Sequence, residues 1–112
     1  MAQIGTFTRI SDGFAGRLRT LALDVELTIV PAQSSDVEHA PDYRVHLGEA
    51  DAGPEIGAGW KRTGEKAGTY LSLVLDDPML AQPIRASLFQ SDRQGRAFHL
   101  VWSRPVKRDD RR

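Results

Sequence analysis

Apolar side chains recur at every second position along most of this chain, and almost no stretch shows the i, i+3, i+4 recurrence of an amphipathic helix. The pattern predicts a mostly β protein. A first strand runs around Ile4 to Ile10, Asp12-Gly13 supplies a tight turn, and Phe14, Gly16 and Leu18 begin the second strand of a hairpin. From Leu21 the apolar positions are Leu21, Leu23, Val25, Leu27 and Ile29, out of phase with Phe14 and Leu18. That shift predicts a bulge or bend near Arg19-Thr20, and a break near Asp24 would split the run into two strands.

Pro31 to Pro41 is polar and proline-bounded, a surface connection with Ser35 and Glu38 at capping-box spacing for one helical turn. Tyr43, Val45 and Leu47 then alternate with Arg44 and His46, and Gly48 to Pro54 forms an acidic turn. A second hairpin follows: Ile56, Ala58 and Trp60 alternate, a basic Gly-containing loop from Lys61 to Lys66 turns the chain, and Leu71, Leu73 and Leu75 alternate on the return. Asp77-Pro78 reads as a helix cap followed by the favoured first helical residue, with one turn over Met79 to Gln82 before Pro83. Ile84, Ala86 and Leu88 face one way and Arg85, Ser87 and Phe89 the other, Asp92 to Gly95 turns the chain, and Phe98, Leu100 and Trp102 form the last strand.

Short strands separated by turns predict one all-β domain over residues 1–104, an antiparallel barrel or sandwich of about seven strands with at most one or two helical turns. Residues 105–112 read as a flexible basic C-terminal tail without apolar periodicity. The expected core comprises Phe7, Leu18, Leu21, Leu23, Val25, Leu27, Val45, Leu47, Ile56, Trp60, Leu71, Leu73, Leu75, Ile84, Leu88, Phe98, Leu100 and Trp102.

Length and charge narrow the picture further. A chain of 112 residues suffices for one hydrophobic core. Its 15 Lys and Arg balance 15 Asp and Glu, so no global field attracts a polyanion and nucleic-acid contact needs a local patch. The absence of cysteine removes disulfides, a thiolate nucleophile and cysteine-based zinc sites. No apolar run approaches membrane-spanning length and the N-terminus lacks a signal-like segment, so a cytoplasmic protein without membrane contact is expected.

Candidate chemistry thins out under the same scrutiny. Gly57-Ala58-Gly59-Trp60 lacks the Lys-Ser/Thr step or third spaced glycine of a phosphate loop, and strand glycines are better explained by curvature or by a ring lying over the backbone. Asp76 and Asp77 are adjacent in a strand-like run and point to opposite sides, so they do not converge on one cation. His39, His46 and His99 show no metal-ligand spacing, and no nucleophile-elbow pattern occurs. The expectation is a non-enzymatic protein without cofactor or metal.

The sharpest functional signal is a basic-aromatic set. If Leu71, Leu73 and Leu75 face the core, Tyr70 points outward; Arg85 and Phe89 oppose Ile84 and Leu88, and Lys61 opposes Trp60. An outward face carrying Lys61, Arg62, Lys66, Tyr70, Arg85 and Phe89, with His99 nearby, would offer rings for stacking and cations for phosphate, as sheets that bind single strands do. The alternative partner is a protein, docked on the same face or on an exposed edge strand, or a second copy of the chain. Oligomeric state stays open.

The chain resembles, end to end, the domain-of-unknown-function 736 family. The residues that carry the resemblance are Ile4-Gly5-Thr6-Phe7, Gly13-Phe14 with Gly16, Thr20-Leu21, His39-Ala40-Pro41-Asp42-Tyr43-Arg44, Glu55-Ile56-Gly57-Ala58 with Trp60-Lys61, Tyr70-Leu71-Ser72, Leu75-Asp76-Asp77-Pro78, Pro83-Ile84 and Trp102-Ser103-Arg104. At His39 the family pattern tends to asparagine, so no special role is assigned to that side chain. The resemblance implies an alphaproteobacterial protein, often encoded on plasmids or conjugative elements, with work in replication, transfer or evasion of host defence. It supplies no catalytic residues.

Overall fold

A computed structural model describes residues 2–33, 38–48, 53–65 and 68–102. Eight strands, one more than the expected seven, follow one another as β1 (Ala2–Ile10), β2 (Gly13–Arg19), β3 (Asp24–Pro31), β4 (Tyr43–Leu47), β5 (Glu55–Gly64), β6 (Gly68–Leu75), β7 (Ile84–Gln90) and β8 (Ala97–Trp102). Each pairs antiparallel with the next, and β8 pairs back onto β1, so the sheet closes as a barrel. Closure settles the choice between barrel and sandwich. Each strand has a neighbour on both sides along most of its length, and the β5–β6 hairpin runs past both neighbours, since β4 pairs with β5 only as far as Gly59 and β7 with β6 only from Leu71.

The interior is filled by side chains from alternate positions. Phe7, Phe14, Leu18, Leu27, Ile29, Val45, Leu71, Leu73, Leu75, Ala86, Leu88, Phe98 and Leu100 are buried. Large residues face glycines across the rungs: Phe7 opposite Gly16, Leu100 opposite Gly5, Leu73 opposite Gly59 and Leu75 opposite Gly57. Eight strands leave a bore just wide enough for side chains to fill, so each bulky group needs a small one beside it. A Cβ on Gly16 would sit within 2.6 Å of the Phe7 ring, and one on Gly59 within 2.6 Å of a Leu73 methyl. The glycines therefore make room for the side chains opposite them, and at Gly16 for a ring.

This arrangement reverses the expected phase of β5. Because Gly57 and Gly59 occupy inward positions, Trp60 points outward opposite Ser72 and is not a core residue. Leu21 also leaves the core: it is fully exposed, because the amide of Thr20 bonds to the carbonyl of Leu23 and the amide of Leu23 to Oγ1 of Thr20, closing a tight turn between β2 and β3. The phase shift near Arg19-Thr20 is this turn rather than a bulge. Bulges lie instead at Ile4 in β1, opposite Leu100 and Val101, and at Ile56 in β5, opposite Val45 and His46, both toward strand starts. Leu23, Val25, Leu47, Ile56 and Ile84 are half-buried against the core, whereas Phe14, Ile29 and Ala86 complete it.

The expected cap at Asp77 forms without a helix. Its carboxylate accepts the amide of Met79 at 2.9 Å and its carbonyl accepts the amide of Leu80, and the chain turns directly into β7. No helix occurs among the described residues, and so none long and apolar enough to cross a membrane. The helical turn expected at Ser35 and the basic tail at 105–112 lie outside them. At one end of the barrel Arg9 lays its guanidinium over the rings of Phe14 (4.9 Å) and Phe98 (5.5 Å) and donates to the carbonyl of Gly95, covering the last layer of the core with a charge that stays in water.

Candidate nucleic-acid interface on the outer face

Register alone assembles the outer face of β5 to β8. Arg62 stands opposite Tyr70, Phe89 opposite His99, and His99 opposite Thr6 of β1. Tyr70 and Phe89 lie on adjacent strands with ring centroids 5.1 Å apart and planes at 33°, and the Phe89 and His99 rings are 6.5 Å apart. The result is one aromatic row running across three strands. A second rung holds Trp60, Ser72, Ser87 and Val101, and a third holds Ala58, Val74 and Arg85. Nearly all of these are half-buried, with Arg62 and Arg85 the exposed cations.

Cross-strand pairing explains why the rings meet. Side chains on directly opposed residues of one sheet face stand about 5 Å apart, so aromatics at matching rungs fall into contact without help from a loop. Trp60 is fixed differently: its indole Nε1 donates to the carbonyl of His39 at 2.9 Å. The β3–β4 connection is thereby fastened over β5. Asp42 reinforces it, its carboxylate accepting the amide of Lys61 at 2.8 Å and its own amide donating to the carbonyl of Gly59.

Of the expected site residues, Arg62, Tyr70, Arg85 and Phe89 do share the outer face. Lys61 does not. It pairs with core-facing Leu71, so its side chain takes the inward direction at the barrel's end, where its ammonium sits 5.9 Å from the Tyr43 ring. The cause is the reversed phase of β5, which sends Trp60 and Arg62 out and Lys61 in. Lys66 lies outside the described residues.

Charge on this strip is one-sided. The outward positions from Ala58 along β5 and through β6, β7 and β8 carry Arg62 and Arg85 and no carboxylate among the described residues. Arg44 on neighbouring β4 is neutralised by Glu55 at 2.8 Å, and Arg17 on the far side of β1 by Asp24 at 2.9 Å. Arg62 and Arg85 make no ion pair among the described residues. No group of three or more His, Asp or Glu side chains able to hold a cation is present among them either.

His99 and Trp60 are the members of this face that sequence reasoning underweighted. His99 shares the parity of Val101 opposite Leu100, a signal that was readable; the orientation of Trp60 was hidden by the glycines beside it. Searches of curated proteins and of solved structures return no match. A family model described as "Protein of unknown function (DUF736)" matches residues 3–105, which span all eight strands but for the first residue of β1. The chain belongs to that family.

Proposed function

We propose that the chain is a non-enzymatic binding module that takes single-stranded nucleic acid across the outer face of β5 to β8. The observation that carries this reading is the row Arg62, Tyr70, Phe89 and His99 on a strip where no outward strand position among the described residues holds a carboxylate. Every base offers a π-face, so an aromatic row binds without sequence preference, and each stacked base contributes roughly 1–3 kcal/mol. Arg62 supplies a phosphate contact at the β5 end of the row, and Arg85 a second one two rungs away along β7. With a net charge of zero the protein adds no long-range attraction, so affinity rests on these local contacts. An accessory role for a mobile element, in the cytoplasm and on single-stranded intermediates of replication or transfer, is part of the proposal.

Fluorescence anisotropy with labelled single-stranded oligonucleotides tests it. Binding at low salt that weakens steeply as salt rises is the expected result. No binding at low salt sinks the idea.

One observation favours protein docking as a second reading. At 5.1 Å and 33° the Tyr70 and Phe89 rings lie tilted against each other and each covers part of its neighbour. Trp60, Val74 and Val101 extend this half-buried surface. A pull-down with and without nuclease separates the two: a protein captured regardless of nuclease, and insensitive to Arg62→Glu, supports docking of a protein.

A further inference from the structure

The rung that carries Arg62, Tyr70, Phe89 and His99 has a fixed cation at its β5 end and an imidazole at its β8 end. The two stand three strand spacings apart, about 14 Å, with the Tyr70 and Phe89 rings between them. Followed further, the rung passes through Thr6 of β1 to Arg17 of β2, and both of these line shallow hollows on the outside of the β1–β2 pair. A chain laid along the row therefore has room to continue past His99. Carboxylates enter the rung only beyond that point: Asp24 holds Arg17 at 2.9 Å, and Glu26 stands opposite Arg17 on β3. His99 is the last position before them at which positive charge would meet a phosphate unopposed.

The surroundings of His99 leave its charge to a ligand. The side chain is half-buried, and its imidazole touches the Phe89 ring at 6.5 Å but meets no hydrogen-bond or ion-pair partner among the described residues. Phe89 and Ser87 face it from β7, Thr6 and Thr8 from β1, and Ala97 and Val101 flank it on its own strand. None of these groups is charged or titrates near neutral pH. The charged side chains that follow on the same face are Arg17 beyond Thr6, Arg62 beyond the two rings, and Arg85 two rungs off along β7. Imidazole is the side chain that ordinarily changes charge between about pH 5 and 8, and once protonated both of its nitrogens donate.

We propose that His99 is a proton-controlled phosphate contact at the β8 end of the row, so that single-stranded nucleic acid is held more tightly as the pH falls. The inference rests on the reading of this face as the nucleic-acid interface. With the imidazole protonated, the two rings lie between two cations; with it neutral, Arg62 is the cation that remains at the row's ends. By linkage, a bound strand in turn favours protonation of His99.

Fluorescence anisotropy with labelled oligothymidine at about pH 5.5 and about pH 8 tests the proposal, thymine being a base that does not titrate in that interval. The wild type is expected to bind about threefold more tightly at the lower pH, the size of effect that one exposed ion pair supplies, with a salt slope steeper by about one. His99→Gln matches the wild type at the higher pH and lacks both gains at the lower. His99→Lys, whose charge is fixed, shows the steeper slope at both. Wild-type binding with one affinity and one slope throughout overturns the proposal and leaves the interface standing. So does a gain that persists in His99→Gln, which would belong to His39 or His46, or a shallow slope in His99→Lys. An absence of binding at both pH values overturns the interface and the proposal together.

Discussion

The indole nitrogen of Trp60 donates to the main-chain carbonyl of His39 at 2.9 Å, so an outward side chain of β5 clamps the long connection between β3 and β4. The clamp has two further points, both at Asp42, whose carboxylate holds the amide of Lys61 and whose amide reaches Gly59. Residues 38–42, so held, border the outer face on its β5 side.

Trp60→Phe keeps most of the ring and loses the donor. A net hydrogen bond contributes about 1 kcal/mol, and the carbonyl of His39 is exposed enough to be re-solvated, so global stability should fall by about that amount in urea unfolding. Amide exchange in the connection should rise more than exchange in the barrel strands. Uniform acceleration across all strands would mean that the indole supports the core instead.

His39 itself adopts φ +65°, a left-handed conformation that costs an ordinary L-residue roughly 1–2 kcal/mol and asparagine or glycine less. Its contribution to the clamp is its carbonyl, which every residue has. His39→Asn is therefore expected to raise the melting temperature while leaving the Trp60 bond in place, and His39→Gly to do so by a smaller margin once its greater unfolded-state entropy is counted. A loss of stability in both variants would show that the imidazole makes a contact of its own.

The alternation of β2, β4, β6, β7 and β8 is legible because each of these strands shows one mainly apolar side, and Tyr70, Arg85 and Phe89 fall outward on that ground alone. β5 was misread for a physical reason. Its inward positions are Gly57 and Gly59, which have no side chain to advertise burial, while the outward ones hold Ala58 and Trp60, which look like core. Hydrophobicity marks a buried face only when that face has side chains. The exposed Leu21 misleads in the same direction for a different reason, since a turn closed by Thr20 cannot be told from a strand by apolar spacing. Closure of β8 onto β1 is a contact between chain ends, and no local pattern carries it.

The glycine rungs make a sharp mutational contrast. A Cβ on Gly16 would meet the carbonyl of Thr6 and the Phe7 ring, neither of which can yield without moving β1. Gly16→Ala should cost about 1–3 kcal/mol as an overpacked core substitution, at the upper end because a backbone atom is involved. Gly59→Ala meets chiefly a Leu73 methyl, which a rotamer change can withdraw, and should cost less. Equal costs, read from denaturant midpoints, would argue against a barrel filled rung by rung.

Lys61 and Arg62 are neighbours in sequence and separate in space, which gives the binding proposal its most discriminating test. Arg62 stands beside Tyr70 on the outer face, whereas Lys61 turns toward Tyr43 at the barrel's end. Charge reversal at either one changes net charge by the same amount, so any effect of overall field is matched between the two variants. Arg62→Glu removes a phosphate contact from the aromatic row and places a carboxylate there; it should weaken oligonucleotide binding about tenfold or more and lower the salt slope by about one. Lys61→Glu should change affinity by no more than the small shift expected from net charge, with the salt slope unaltered. Phe89→Ala should weaken binding without altering the slope, because a stacked base releases no counterion. If both charge reversals act alike, the strand does not lie on the outer face, and the reading of that face as the interface is wrong.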